Sequence, residues 1–360
     1  MTIQFLPAYA VCDPAILHRE RQQTVRWTAA LPRRVDPSGR GTPLFTVISN
    51  FPERVATSLS ATFPELGGID TVTPLANGYH SLVVETPQGD VFKIAKNWEG
   101  GAGYTKEYKL LPLIRDRLPV SVPYPVWYAG PSIHFPFGVI GFLKITGKVM
   151  SSTEDVHSST ARDLAAFMLA LHQTDLSGAM SGVVPNARAS WGDIEILRDT
   201  LTPMLRDEFQ SSDYAIIGRW WSSFLNDQRM HHYEPVLIHG DLWHENLLVD
   251  PASKSLCGVL DFEHAACGDP AQDIATVLHL GRPFALEVIH EYRAAGGILD
   301  EAALYRAQRL WELREFIAAG FAIRHDNQHK FDKAVLKLRN GPLFNDATRR
   351  ETSLWPPPQQ

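Results

Sequence analysis

The stretch "VLIHGDLWHENLLVD", Val236 to Asp250, limits the folds open to this chain more than any other. It sets His239, Asp241 and Asn246 among strand-forming residues, and a second apolar run, "LCGVL", follows the turn residues "PASKS". A buried carboxylate or amide is costly unless a partner satisfies it, so a plain core strand would not carry these residues. Two short apolar runs joined by a Pro/Ser turn read instead as a β-hairpin. Residues 246 and 260 then fall opposite each other, and Asp261 lies beside Asn246 at the open end. Asp241, just upstream, reaches the same edge. Two carboxylates and an amide oxygen gathered there suit Mg2+, which takes one or two protein groups and completes its shell with phosphates and water.

The rest of the chain changes character along its length. Residues 13–41 are Arg-rich and end in "RRVDPSGRGTP", so 1–43 reads as a partly flexible N-terminal extension. From Pro52 a helix runs to Pro64, two apolar runs flank the turn "PQGD", and "YTKEYKLLPLI" has helical spacing. "VSVPYPVWYAG" and "FGVIGFLKITG" read as strands, the second ending at Gly147. These features predict a β-rich lobe over 44–147, a mostly antiparallel sheet with a helix set into it. After it, "STARDLAAFMLALHQTD" is an amphipathic helix with Ser159 or Thr160 as its cap. A Gly/Ser/Pro-rich loop covers 177–192, and helices are expected near 193–210, 213–230, 272–282, 284–296, 301–325 and 328–338. This second, mainly helical lobe spans 148–345, and 346–360 reads as a disordered tail. The class is α+β, with two lobes.

Composition removes several partners. A net charge of −6 offers no general attraction to nucleic acid. No apolar run approaches the roughly 18–20 residues of a membrane span. The N-terminus has no basic residue ahead of its short apolar part, which argues against a secretory signal, and three cysteines suit a reducing cytoplasm. Nothing in the sequence speaks to oligomeric state.

"HGDLWHENLLVD" followed by "GVLDFE" resembles the catalytic loop and metal-binding motif of the aminoglycoside phosphotransferase family, small-molecule kinases with a protein-kinase-like fold. The kinase pattern H-R-D-L-x-x-x-N recurs as His239, Gly240, Asp241, Leu242 and Asn246, and "DFE" stands in the place of D-F-G. "CGDPAQDIATV" resembles the family's G-D-P-x-x-D segment. The resemblance covers roughly residues 70 to 340 and is dense around 237–277. It implies a small β-rich N-lobe that binds nucleotide and a larger, mainly helical C-lobe for catalysis and the acceptor. It also implies that Asp241 orients the acceptor hydroxyl or takes its proton, while Asn246 and Asp261 hold Mg2+ against the phosphates of ATP or GTP. His239 would be a packed structural residue. Asp273 would accept backbone N–H bonds that brace the loop, or else serve as a helix N-terminal carboxylate. Trp243 stands where kinases acting on Ser/Thr carry lysine, which points to a small-molecule acceptor. It would shape the acceptor pocket or pack on the hairpin.

In the first lobe the resemblance calls for a strand lysine paired with a helix glutamate. "VFKIAK" offers Lys93 and Lys96, which point to opposite strand faces. Lys93 is preferred, with Glu107 as partner and Gly78 of "ANGYHS" in the phosphate-covering turn. "GFLKITG" resembles the hinge segment, so Phe142, Leu143 and Lys144, on to Thr146, would meet the base through main-chain groups. Such recognition leaves ATP versus GTP open. Aminoglycoside kinases need an acidic cleft for their cationic acceptors. Glu263, Glu312 and Glu315 are the candidates here, although the last two also read as a solvated helix face paired with Arg309. The sequence therefore predicts transfer of a phosphoryl group from a nucleoside triphosphate to a small-molecule hydroxyl, with an aminoglycoside-like, cationic acceptor. The alternatives are a kinase of a macrolide, choline, homoserine or sugar-type acceptor, and a catalytically silent nucleotide-binding module.

Overall fold

The computed structural model describes residues 51–151, 156–187 and 191–345. The expected N-terminal extension with Cys12, the first residues of the expected N-lobe, part of the 177–192 loop and the expected tail lie outside the described residues. The chain forms two compact units. The smaller holds the described residues up to Tyr108 together with Tyr124–Lys144; the larger holds Lys109–Pro123 and the described residues from Ile145 onward.

In the smaller unit, α1 (Phe51–Thr62) precedes a five-stranded antiparallel sheet in the order β1-β2-β3-β5-β4. Its strands are β1 (Thr73–Asn77), β2 (Ser81–Glu85), β3 (Asp90–Ala95), β4 (Pro125–Ala129) and β5 (Val139–Leu143). The turn between β2 and β3 closes locally. Gly89 adopts φ +90, where a side chain would be strained, and Asp90 N–H donates to the Thr86 hydroxyl at 3.1 Å. In the sheet centre Phe92 pairs with Gly141, and its ring fills the space a Cβ at 141 would need, 2.3 Å away. Phe63 and Trp127 pack tilted against that ring, so a fully buried Phe92, worth about 1.5–3 kcal/mol, anchors this core. β5 ends at Leu143 rather than reaching Gly147. Leu143 pairs with Asp90, the first residue of β3, and no strand lies beyond it to continue the ladder.

The helix α2 (Trp98–Ile114) follows β3, and the chain passes from one unit to the other within it. The larger unit contains α3 (Ser158–His172), α4 (Trp191–Leu205), α5 (Ser211–Asn226), α6 (Pro270–Val277), α7 (Arg282–Ala294), α8 (Ala303–Arg324) and α9 (Gln328–Asn340). Leu201, Trp220, Trp221, Phe224, Phe316 and Phe331 are central to a core built by α4, α5, α8 and α9. Two small sheets sit in this unit. One pairs β7 (Val236–Ile238) with β10 (Ala266–Gly268); the other orders β6 (Lys148–Val149), β8 (Leu247–Val249) and β9 (Leu256–Val259). The cap expected of Ser159 or Thr160 is absent: His157 occupies the N-cap of α3, and its side chain makes no capping bond. The helix starts at Ser158, ahead of both residues, and their hydroxyls donate to the Lys254 carbonyl at the hairpin tip, Thr160 at 2.6 Å. Among the described residues, no helix is long and apolar enough to cross a membrane.

Candidate active site

The site is built at the mouth of the β8–β9 hairpin. Leu247 pairs with Val259, and Leu260 N–H donates to the Asn246 carbonyl at 2.8 Å, so residues 246 and 260 face each other. The tip is closed by Asp250, whose Oδ1 accepts from the backbone of Ala252 and Ser253. A three-residue helical turn, His244–Asn246, joins the hairpin to the loop that carries Asp241.

Asn246 Nδ2 donates to both the carbonyl oxygen and Oδ2 of Asp241, each at 2.9 Å. Both partners are acceptors, so the amide is oriented with nitrogen inward and Oδ1 as its acceptor end. Asp241 is 3% exposed. Burial pushes its carboxyl up to about 7; the charges of Asp261 and Glu263 act in the same direction, while His264 and the Asn246 amide act against it. Asp261, Glu263 and His264 thus share one electrostatic neighbourhood with Asp241. Asp261 holds φ 65 and ψ 75, a left-handed backbone that costs a non-glycine residue about 1–3 kcal/mol. Such strain persists only where the surroundings impose it. An amide oxygen and a carboxylate on facing ends of a hairpin are hard donors, and the set fits Mg2+.

The loop is pinned from α6. Asp273 is fully buried, and its carboxylate accepts from His239 N–H at 3.0 Å and from Gly240 N–H at 2.7 Å. One helical turn on, the Thr276 hydroxyl accepts from Leu242 N–H at 3.2 Å. Gly240 has φ +81, and a Cβ there would lie 2.7 Å from the His264 carbonyl oxygen, so only glycine fits. The His239 ring uses both nitrogens: Nε2 donates to the Leu260 carbonyl, and Nδ1 accepts from Asp241 N–H. Burial holds its pKa down to about 4, so the ring is neutral and acts as a spacer between loop and hairpin. Behind Asp273, His172 Nε2 contacts Oδ2 at 3.1 Å and its Nδ1 meets the Tyr292 hydroxyl at 3.0 Å.

Trp243 is buried, with its ring against His244 and His279. Glu263 is half-buried and approaches His264. Glu312 accepts from Trp220 Nε1 and Arg309 Nη1, both at 2.8 Å, while Glu315 is 4% exposed beside Arg314 at 3.0 Å. Both glutamates line a small cavity with Trp311, Arg314, Leu338 and Pro342.

In the smaller unit, Lys93 Nζ lies 3.2 Å from Glu107 Oε2 and 3.3 Å from Oε1, and both residues are buried. Lys96 lies just past β3, exposed, and donates to the Gly78 carbonyl and to Asn77 Oδ1. A Cβ at Gly78 would meet only Ser81 O at 3.5 Å, so the backbone does not demand glycine there. Phe142 is buried in β5, Leu143 is exposed, and Lys144 pairs with Glu85 at 2.9 Å.

Sequence reasoning overlooked His172, His264, Thr276 and Arg306. Arg306 is fully buried and clamps Asp269, the N-cap of α6, at 2.6 Å and Asp300 at 2.6 Å. Thr276 could have been found, since it follows Asp273 by one helical turn. His172 and Arg306 reach Asp273 and Asp269 in distant segments, and His264 is set against Gly240 by packing, so these leave no local signal.

A model of the phosphotransferase enzyme family matches residues 71–311. Among solved structures, the chain is similar to the GDP and kanamycin complex of APH(2")-IIia, with 22% identity, a TM-score of 0.71, and 79% of this chain and 96% of that chain covered. It is also similar to the apoenzyme of macrolide 2'-phosphotransferase MphH from Brachybacterium faecium, with 18% identity, a TM-score of 0.62, and 79% and 98% coverage. A third is the ADP-bound aminoglycoside phosphotransferase APH(2'')-Ib, with 18% identity, a TM-score of 0.60, and 79% and 96% coverage.

Proposed function

Because this chain belongs to the phosphotransferase enzyme family, we propose that it moves the γ-phosphate of a nucleoside triphosphate to a hydroxyl of a small molecule. The observation that carries the reading is the Asn246 amide bonded twice to Asp241 at the mouth of a hairpin whose other strand leads into Asp261. Phosphoryl transfer asks the protein mainly for positioning and charge neutralisation. Asp241, held in place by Asn246 and by the braced backbone around it, orients the acceptor hydroxyl and takes its proton. Asn246 Oδ1 and the Asp261 carboxylate would hold Mg2+, which when bound neutralises phosphate charge. In the smaller unit, the Lys93 ammonium, fixed by Glu107, meets nucleotide phosphate, and the main chain of Phe142, Leu143 and Lys144 meets the base. His239 and Asp273 support the loop.

The acceptor is proposed to be aminoglycoside-like and cationic. The acidic neighbourhood of Glu263 supports this, as does the likeness to the kanamycin complex of APH(2")-IIia and the gentamicin complex of APH(2")-IIa. One observation favours a second reading. Glu312 and Glu315 already have Arg309 and Arg314 beside them, which weakens their pull on a further cation and suits a neutral hydroxylated acceptor such as a macrolide or sugar-type compound. A panel of kanamycin, gentamicin, streptomycin, a macrolide, choline and homoserine, each with ATP or GTP and Mg2+ and read by mass of the product, separates the two. Asp241→Ala should lower turnover of the best acceptor about 10²–10⁴-fold while nucleotide still binds by calorimetry. Unchanged turnover would remove Asp241 from the chemistry.

A further inference from the structure

His264 is a buried imidazole beside the catalytic loop that none of the roles above uses. Its position follows from the sheet. β10 pairs with β7 through Ala266↔Ile238, and just before β10 the helical turn Phe262–His264 brings His264 against Gly240. The contact is close: a Cβ on Gly240 would lie 3.2 Å from the His264 Cβ. The ring therefore leaves the backbone next to the residue that precedes Asp241.

The histidine side chain is 5% exposed. Nε2 pairs with Glu263 Oε1 at 3.4 Å, while Nδ1 makes no hydrogen bond to a described residue. The histidines placed around it differ. His239 spends both nitrogens on backbone groups, and His172 spends both on Asp273 and Tyr292. A buried polar group without a hydrogen bond is costly unless something else supplies the partner. The surroundings also mark the ring as part of the reacting centre: burial disfavours its charge, but Glu263, Asp241 and Asp261 together raise its pKa above the ordinary histidine value.

We propose that His264 contacts the acceptor, its imidazole bonding a second polar group next to the hydroxyl that Asp241 addresses. The chemical class that satisfies both residues is a polyol or an amino alcohol, with two hydrogen-bonding groups on neighbouring atoms, rather than a lone hydroxyl. This rests on the reading of Asp241 as the residue that meets the acceptor hydroxyl.

The test uses the full chain with Mg2+ and nucleotide, kanamycin as the first probe, and then the best acceptor of the panel. His264→Ala and His264→Asn are compared with the wild type for kcat and KM toward acceptor and nucleotide, for nucleotide affinity by calorimetry, and for Tm. Loss of one substrate hydrogen bond should lower kcat/KM for the acceptor about tenfold or more in His264→Ala. Nucleotide affinity should stay within about twofold, and His264→Asn, which keeps a donor and an acceptor, should recover part of the loss. The proposal is overturned if His264→Ala keeps wild-type kcat/KM for the acceptor. It is equally overturned if both variants lose nucleotide affinity and Tm together with turnover, because the ring is then a packing residue. If the wild type phosphorylates nothing on the panel, the proposed function fails and this contact fails with it. If the wild type is active, Asp241→Ala is dead and His264→Ala is normal, this inference alone fails.

Discussion

At the scale of single residues, the loop from His239 to Asn246 is held by partners that leave little room for exchange. Asp273 has its carboxylate in contact with two backbone amides and one imidazole. Asp273→Ala would leave the buried N–H groups of His239 and Gly240 unpaired, at about 1–3 kcal/mol each. We expect a lower urea midpoint and a fall in turnover larger than the stability loss alone explains, because Asp241 would no longer be positioned. A midpoint within error of wild type would show that the loop does not depend on this brace. The sequence made Asp273 a candidate through "GDPAQD", and its carboxylate accepts from the N–H groups of His239 and Gly240. The sequence carried no sign of the third partner, His172, which lies 101 residues away.

At the scale of elements, two placements matter. On β3, Lys93 is buried with Glu107 of α2 whereas Lys96 lies beyond the strand end and holds the 77–78 turn. Lys93→Ala should lower turnover about 10²–10³-fold, and Lys96→Ala should do much less; steady-state rates reversed between the two would move the phosphate contact to Lys96. The sequence set both lysines on one strand with opposite faces, but β3 ends at Ala95, and the packing of α2 on the sheet buries Lys93 while Lys96 stays exposed. The second placement is the start of α6. Arg306, from the middle of α8's first turns, clamps the Asp269 cap and Asp300, so two segments far apart are fastened at the helix that braces the loop. Removing one partner of a buried ion pair is costly, and Arg306→Ala should destabilise the protein by about 3–5 kcal/mol in denaturant melts. A loss below about 1 kcal/mol would place the clamp among surface pairs.

For the whole molecule, stability should depend on pH through histidines kept neutral by burial. His279 packs between Trp243 and Trp311, and burial, with Arg314, Lys337 and His244 acting in the same direction, lowers its pKa to about 3. In the unfolded chain it takes a proton near pH 6.5. The folded state therefore binds fewer protons below that value, and stability is full above about pH 6.5 and falls as the pH drops toward the folded value. Denaturant melts at pH 7.5 and pH 5 should show this loss, and His279→Gln should shrink the difference; an unchanged difference would assign the dependence to other groups. What the sequence by itself determined was local: the hairpin register that faces Asn246 with Leu260, the turn at Gly89 and the alternation of strand and helix along the chain. These follow from backbone sterics and hydrogen bonds that act over a few residues. It placed the end of β5 and the cap of α3 wrongly: a missing pairing partner ends β5, and α3 starts at Ser158, ahead of both residues expected to cap it. Only the tertiary structure decided which polar groups are buried and with whom. It oriented the Asn246 amide on Asp241, gave Glu312 a hydrogen bond from Trp220 and an ion pair with Arg309, and set His264 against Gly240, since desolvation and its compensation depend on segments that meet only when the chain is packed.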